Sequence, residues 1–433
     1  MAGVDFVNVQ NVLDLYQQQL VHASDLFVLA APLWNSIDEY TEAVDVSQRG
    51  VRLYYMSEEA GGHTLPTLSQ PALNRTKPPQ SDSMWAKPQM YGIPIVIDIH
   101  LLNDAGGNNG PKKAAAMFKI SDLLMAYTKA AAKRQEFFVC GNGFGVLAFS
   151  SASLTVPGAA QTLTCDSTPA AAPGHTKGAV RLKINQYYQS FDAATGLPEG
   201  TILVTSRNNK TQVTCTLLSG VVTSGNPICD VGAYGKAPMG FTGLLDNTSR
   251  IMQGRDTSVD TIFNVPTLDL AGARMTVADR ETIKTMLVVL NADTGARTNL
   301  ACVCTPGIMS DLRKQQYGFR RAAVEDPAAD ITKIYKDVDG TKMMEAVDYD
   351  EDRHTFFKTN ILQKHTEIPF GEVNPDGLAW RNLLGVNQTG SLLNGKWWGC
   401  SWTMVVTNTL AGATVKRAST TGITTQIVTG AGN

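Results

Sequence analysis

One segment of the sequence has the spacing of a phosphate-binding loop, in which backbone N–H groups surround phosphates and a lysine neutralises them. The segment is Gly390-Ser-Leu-Leu-Asn-Gly395-Lys396. Trp397 then stands where a Ser or Thr would hold Mg²⁺, and a strand pattern follows in place of a helix. Because no helix N-terminus would face the phosphate, we do not expect nucleotide binding.

A second glycine motif, Gly141-x-Gly143-x-Gly145, has part of the spacing of a dinucleotide-binding fingerprint. That fingerprint follows a strand and opens a helix. Here the glycines follow a predicted helix and precede a predicted strand. The motif therefore indicates the end of a helix and a turn.

Acids and thiols offer two candidate metal sites. Asp337 and Asp339 begin like a calcium loop, but Gly340 comes too early for one, so a solvated acidic turn is favoured. Cys302 and Cys304 share one face of a predicted strand, but no second Cys or His pair lies close in sequence, as a zinc site would need. The sequence therefore predicts no metal site and no cofactor.

Motifs of nucleophilic catalysis are absent from the sequence. It has no G-x-S-x-G elbow, and its 6 histidines do not stand at ligand spacings. Catalytic residues can also be assembled from distant parts of a chain, so this weakens an enzymatic function without excluding it. We predict no catalytic residues.

Charge is scarce and nearly balanced. Charged residues make up 18% of the chain, against about a quarter in typical proteins, and the net charge is −2. Charged groups are depleted at interface cores, so the scarcity fits a surface that is buried on association. A bland globular protein is an equal alternative. Near-neutrality disfavours dedicated nucleic-acid binding.

The sequence indicates a protein of the cytoplasm. Its 7 cysteines form no even framework, so we expect reduced thiols. The start lacks the basic and apolar regions of a secretory signal, and no apolar run approaches the length of a membrane span.

An unusual segment lies between two alternating patterns. Apolar residues occupy every second position from Tyr91 to Leu101, which predicts a strand, with Pro94 at an edge or a bulge. The shorter run from Val51 to Tyr55 could pair with it. Between them, residues 57–90 lack periodicity and are rich in Gly, Pro, Ser and Thr.

Residues 57–90 are long for a loop of a compact domain. Aromatic and Met side chains, which are enriched at interfaces, stand near its return. We favour an arm lying on another subunit over a disordered flap. The candidate inter-subunit contacts are Met84, Trp85 and Tyr91.

Helical spacing is clearest after the turn that ends at Pro111, over residues 111–139. At about 1.5 Å per residue this helix would be about 40 Å long. An amphipathic helix is also predicted near residues 9–20. The predicted core face of the long helix is Met117, Ile120, Leu124 and Tyr127.

Short strand patterns dominate residues 146–238 and predict a small antiparallel β-barrel or sandwich. One predicted strand runs from Val180 to Ile184. Beyond it, Thr276 and Asp279 resemble a capping box before a helix. Further predicted strands are 300–304, 341–349, 354–363 and 398–406, and the predicted core face of the helix is Ile283, Met286, Leu287 and Leu290.

The order and size of these segments resemble the major capsid protein fold of tailed bacteriophages, which encapsulin shells share. The resemblance covers nearly the whole chain, and residues 137–147 are similar to the Gly-rich segment after the spine helix in that family. It implies an α+β fold. The small β-barrel or sandwich predicted at residues 146–238 is an insertion that departs from the minimal pattern of the family, although decorated members exist. The implied parts are an N-terminal arm (1–50), an extended E-loop hairpin (51–106), the spine helix of the P-domain (107–145), the inserted β domain (146–238), an A-domain (239–335), and P-domain strands with a C-terminal tail (336–433).

The resemblance implies a structural protein and not an enzyme. Such subunits self-assemble into hexamers and pentamers that form an icosahedral capsid enclosing phage double-stranded DNA without sequence-specific binding. Shells of this family form as procapsids and mature by expansion. The implied location is the virion, after assembly in the host bacterial cytoplasm, and the implied partners are other copies of the chain with scaffold, portal and decoration proteins. No membrane is involved.

Three other functions stay open. An encapsulin-like compartment would have the same fold. A β-rich hydrolase is a less favoured alternative. A tail or adhesin protein would form rods or trimers in place of shells.

Overall fold

The computed structural model describes part of the 433-residue chain. The helix predicted near residues 9–20 falls outside the described part, as do residues 59–79 of the predicted arm. So does the tail after Ser419, whose Thr- and Gly-rich sequence predicts a weak strand or disorder. The described residues are 31–41, 50–58, 80–98, 104, 110–166, 178–209, 211–271, 273–291, 295, 299–310, 312, 315, 337–338, 341–349, 353–372, 381–382, 393–409 and 412–416.

A short helix and a hairpin come first. Helix α1 spans Pro32–Asn35, and strands β1 (Val51–Glu58) and β2 (Gln80–Ala86) pair antiparallel. The predicted pairing of the Val51–Tyr55 run with the Tyr91–Leu101 run is therefore wrong. Strand β2 could not be recognised because Gln80 and Asp82 stand where an alternating pattern that leads to the buried Met84 and Ala86 needs apolar residues.

The strand predicted from Tyr91 is confirmed as β3 (Gln89–Asp98), although residues 99–101 lie outside the described part. It pairs antiparallel with a strand at the far end of the chain, Leu393–Val406. Among the described strands this is its one neighbour, so Pro94 lies in an edge strand as predicted.

The long helix is confirmed as α2 (Gly110–Cys140). Of its predicted core face, Ile120 and Leu124 are buried, whereas Met117 and Tyr127 are partly exposed. The buried stripe lies slightly to one side of the predicted one because small and polar residues complete it. These residues are Ala116, Thr128, Ala131, Ala132 and Gln135.

The predicted barrel is present and closed. Its strands are β4 (Val146–Ser150), β5 (Ala160–Asp166), β6 (Tyr187–Phe191), β7 (Pro198–Arg207), β8 (Gln212–Gly220) and β9 (Pro227–Asp230). They pair around the barrel in the order β4-β5-β8-β7-β6-β9. Closure satisfies both edges of every strand, so the unit has its own core.

One predicted barrel strand is wrong. The Val180–Ile184 run forms a 3₁₀ turn at Ala179–Arg181, and both Val180 and Ile184 are exposed. Asn185 follows with a φ of 59°, which is incompatible with an extended strand. Three alternating residues are too few to outweigh such a turn.

Helix α3 (Phe241–Leu244) and two short paired strands, β10 (Ile251–Met252) and β11 (Arg255–Asp256), follow the barrel. Next come β12 (Thr267–Asp269) and helix α4 (Val277–Asn291).

The predicted capping box of α4 is confirmed. The Thr276 N–H donates to Asp279 Oδ2 at 2.7 Å, and the Asp279 N–H donates to Thr276 Oγ1 at 3.2 Å. Ile283 and Leu287 are buried and Met286 packs beside them, but Leu290 is exposed because it lies in the last turn.

The last third of the chain supplies two sheets. The predicted strand 354–363 is two strands separated by a turn at residues 359–361. A short helical stretch follows β13 and is described over residues 306–310. The strands are β13 (Leu300–Cys304), β14 (Asp337–Val338), β15 (Thr341–Glu345), β16 (His354–Lys358), β17 (Leu362–Glu372), β18 (Arg381–Asn382), β19 (Leu393–Val406) and β20 (Gly412–Lys416).

A six-stranded sheet has the order β12-β20-β16-β13-β15-β14, and a four-stranded sheet joins β3, β17 and β18 to β19. The six-stranded sheet combines strands from both sides of the predicted boundary at 335–336. The strand predicted at 398–406 is part of β19, where every second residue from Trp398 to Val406 is buried, and Ser401, Thr403 and Val405 between those residues are buried too. In the described part of the chain no helix meets the length and apolarity of a membrane span.

Candidate assembly surface

The base of the β1–β2 hairpin is held against its own chain by the β10–β11 turn. Arg255 forms an ion pair with Asp82 and donates from Nη2 to the Ser83 carbonyl at 2.7 Å. The Trp85 N–H donates to the Gln253 carbonyl at 3.3 Å. These contacts fix where the hairpin leaves the body of the protein.

Electrostatics reinforces this base. The Ser83 N–H and then the Arg255 guanidinium stabilise the ionised Asp82 carboxylate and hold its pKa below its ordinary value. Tyr55 lies against Phe263, with ring centroids 4.7 Å apart, and burial raises the pKa of Tyr55. At neutral pH the base therefore contains a charged pair beside a neutral phenol.

The three candidate contact residues lie near this base. Met84 is buried in the hydrophobic core of its own chain. Tyr91 packs edge-on against Phe138 at 5.1 Å, and burial raises the pKa of Tyr91. Trp85 is partly exposed. Contact of Met84 or Tyr91 with another copy would require this packing to open, and a role between subunits stays a prediction for all three residues.

The outer face of the hairpin carries a stack that the sequence did not single out. Arg52 lies opposite Trp85 in the strand register. Its guanidinium carbon is 4.9 Å from the Tyr54 ring centroid and 5.3 Å from the Trp85 ring. Tyr54 is 69% exposed. Tyr, Trp and Arg are the residues that most often dominate binding energy at interfaces.

A second exposed patch lies on helix α2, on the side away from its buried stripe. Phe118 is 68% exposed and Met125 is 40% exposed, with the exposed Asp122 between them. Spacings of four and three residues align these side chains in one stripe. We call Phe118, Asp122 and Met125 the spine stripe.

The barrel is joined to α2 at the end where β4 begins and β9 finishes. Arg134 of α2 forms a 2.7 Å ion pair with Asp230. Beyond it, Phe144 and Phe191 each pack against Tyr234, with centroids 5.5 Å and 5.2 Å apart. The joint combines an ion pair with an aromatic cluster and fixes the barrel to the spine.

A groove of about 700 Å³ lies between the hairpin base, the barrel joint and the β10–β11 turn. Its lining in the described part of the chain includes Trp85, Phe144 and Gln253, but no His, Cys, Asp or Glu. Of the side chains that commonly act as general acids or bases, Lys87 lines the groove. The groove also offers contact area and hydrogen-bonding groups, among them Ser83 and Gln253.

The sequence motifs that resemble phosphate, dinucleotide or metal sites lie in strands or in turns. Lys396 of the phosphate-loop pattern lies within strand β19. Gly143 and Gly145 have φ values of 90° and 70° in the turn after α2. Cys302 and Cys304 are buried in β13, and the described residues contain no group of three His, Cys, Asp or Glu that could hold a metal ion.

No protein-family model and no curated protein matches the chain. Several solved structures match the chain. The capsid asymmetric unit of cyanophage A-1(L) is 10% identical, with a TM-score of 0.47 over 90% of this chain and 93% of that one. The capsid of a native GTA particle is 12% identical, with a TM-score of 0.42 over 90% and 91%.

A virus-like particle from Pyrococcus furiosus is 7% identical, with a TM-score of 0.38 over 92% of this chain and 98% of that one. All three structures are capsids or particles, the class that the sequence resembles. Because each TM-score is below 0.5, the functional assignment has to rest on the geometry of this chain.

Proposed function

We propose that this chain is a structural shell subunit, the major capsid protein of a tailed bacteriophage. Identical copies form hexamers and pentamers of an icosahedral shell around double-stranded DNA, in the virion, after assembly in the host cytoplasm. Scaffold, portal and decoration proteins are its further partners. The observation that carries the proposal is the exposed Tyr54–Arg52–Trp85 stack on a hairpin that is fixed at its base.

The hairpin stack and the spine stripe are complementary. The stack has a cation between aromatic rings, and the stripe has an acid between two apolar side chains. Different patches that fit each other on one chain generate heterologous contacts, which close into rings when the rotation allows. The hairpin of one copy then docks on the spine stripe of the next.

Charge exchange tests this contact. Arg52→Asp and Asp122→Arg each place like charges together, so each single variant should assemble at a concentration at least about tenfold higher than the unaltered chain. The double variant restores opposite charges and should recover assembly. Lys112→Asp, a charge change at an exposed position of the same helix more than two turns away from Asp122, is the control.

Sedimentation velocity and negative-stain electron microscopy of the full-length chain give the readout. Closed particles support the shell function. A chain that stays monomeric under assembly conditions, with or without a coexpressed scaffold, contradicts it. Particles that form normally in both single variants leave the shell intact but show that this pairing is wrong.

An encapsulin-like compartment differs from a capsid in its contents. Nuclease-protected DNA inside particles made during phage infection supports the capsid, and a packaged protein cargo without DNA supports the compartment. A β-rich hydrolase has less support, because the described lining of the groove contains no His, Cys, Asp or Glu and offers Lys87 alone as a common general acid or base.

A further inference from the structure

Helix α2 is much more basic than the rest of the chain. It carries six Lys and Arg residues and two acids, a net charge of +4, whereas the whole chain has a net charge of −2. The remainder of the chain is therefore acidic overall. A nearly neutral average thus conceals one element on which positive charge is concentrated.

Two lysines near the end of this helix lie one turn apart. Lys129 and Lys133 are exposed and lie opposite the buried stripe of α2. Their spacing of four residues corresponds to about 6 Å along the helix axis. Ala126 and Ala130, three residues before each lysine, carry only methyl groups. A partner can therefore approach both ammonium groups closely.

The barrel joint brings a third lysine to the same end of the helix. The Lys183 N–H donates to Tyr188 Oη at 2.7 Å. Tyr188 lies opposite Asp230 in the register of β6 and β9, and Asp230 forms the 2.7 Å ion pair with Arg134 of α2. Lys183 itself is exposed. These contacts place an exposed lysine of the barrel beside the C-terminal end of α2.

We call Lys129, Lys133 and Lys183 the basic patch. None of the three forms an ion pair within the part of the chain that the structure describes. The acid of the joint, Asp230, is already bound by Arg134. Partial burial and then Arg134 lower the pKa of Lys183, Lys133 adds to the fall, and Asp230 opposes it. The patch therefore holds positive charges that repel one another, and a bound anion would relieve that repulsion.

Duplex DNA has the charge that this patch lacks. It carries one negative charge for about every 1.7 Å of its axis, so lysines about 6 Å apart can each reach a phosphate. Lysine presents a point charge that suits a phosphate, and phosphate contacts carry no sequence information directly. The exposed acid of α2, Asp122, lies about 10 Å along the axis from Lys129. In the proposed contact between copies it faces Arg52 of the next chain.

We propose that the basic patch binds the phosphate backbone of duplex DNA without regard to sequence. The contact is local, because the net charge of −2 gives the whole chain no general attraction for DNA. The proposal rests on the proposed function for the source of the DNA. A shell presents many copies of the patch to one enclosed duplex, so contacts that are weak one at a time act together.

Fluorescence anisotropy of a labelled duplex, titrated with the full-length chain before assembly, tests the patch. Titrations run from about 50 to 200 mM salt, because each phosphate contact adds about 0.9 to the slope of log affinity against log salt. The triple variant Lys129→Gln, Lys133→Gln and Lys183→Gln should reduce the magnitude of this slope by roughly 3. Duplexes of two unrelated sequences should bind equally well.

A charge-matched triple variant is the control. Lys87→Gln, Lys236→Gln and Lys342→Gln remove the same charge at exposed positions outside α2 and should leave the slope unchanged. Thermal unfolding of both triple variants should match that of the unaltered chain, because all six lysines are exposed. If the patch triple fails to fold, each single variant should reduce the slope by about 1.

Three results would overturn the proposal. The first is an unchanged salt slope in the patch triple, or an equal loss in the control triple. The second is polyglutamate binding the patch more tightly than a duplex of equal charge, which would assign the patch to an acidic protein segment. The third is closed particles that bind added duplex on their outside through the patch, since enclosed DNA could then not reach it.

Particle formation is scored separately. A patch triple that loses DNA binding, in a chain that never forms particles, leaves the patch and removes the shell. Particles from a chain whose patch triple binds DNA as the unaltered chain does leave the shell and remove the patch.

Discussion

The hairpin and the barrel are both antiparallel β-structures, but the barrel is a closed sheet and the hairpin is an open sheet of two strands. The barrel closes on itself, and its inward residues Leu163, Ile202 and Val213 are completely buried. The hairpin has two strands, and its outer face exposes Tyr54. An isolated two-stranded hairpin is at best marginally stable in water. The barrel needs no partner for its stability, whereas the hairpin depends on its base and on whatever covers its face.

A substitution in the barrel core should have the largest effect, because it should lower the stability of the barrel and leave the hairpin unchanged. Leu163→Ala leaves a cavity in a close-packed interior, so we expect the barrel to lose about 3 kcal/mol of unfolding free energy. The hairpin base should stay intact, because its ion pair lies outside the barrel. Denaturant unfolding with hydrogen exchange resolved by segment measures both effects.

Thr162→Ala, at an exposed position of the same strand, is the matched control and should change stability by less than about 0.5 kcal/mol. If Leu163→Ala increases exchange in the hairpin as much as in the barrel, the two regions are one cooperative unit and the comparison fails.

A substitution in the hairpin base should have the opposite effect, with little loss of stability and a large loss of assembly. Arg255→Ala removes the Asp82 pair and the bond to the Ser83 carbonyl. Both charged groups are partly exposed and screened by water, so the unfolding free energy of the isolated chain should change little. Assembly should weaken much more, because the direction of the hairpin is no longer fixed. Particle yield and thermal unfolding are the two measurements.

Lys236→Ala removes an exposed charge near the barrel joint and should change neither measurement. Normal particle yield in Arg255→Ala would mean that the base contacts do not set the position of the hairpin.

Local patterns predicted most of the individual elements. The capping box at Thr276 and the strand predicted at residues 398–406 each depend on residues close in sequence, and both are confirmed. The pairing of strands that lie far apart in the sequence was harder to predict. Strand β3 meets β19 with Gly92 opposite Gly399, where a Cβ on Gly399 would come within 2.1 Å of the Tyr91 carbonyl oxygen. Such close approach between distant segments leaves no periodic signal in either one.

The candidate surface was only partly predictable for the same reason. An unusual segment could be located at residues 57–90, but its flanking strands could not be paired from their sequences. The Arg52 stack depends on the register that places Arg52 opposite Trp85.

The central claim is that a second copy covers the outer face of the hairpin. A photoreactive benzoylphenylalanine at Tyr54, in a mixture of ¹⁴N- and ¹⁵N-labelled full-length chains under assembly conditions, tests it by mass spectrometry of cross-linked peptides. We predict cross-links that join light to heavy chains and include residues of the spine stripe. Cross-links confined to a single isotope, and so to a single chain, would contradict the account.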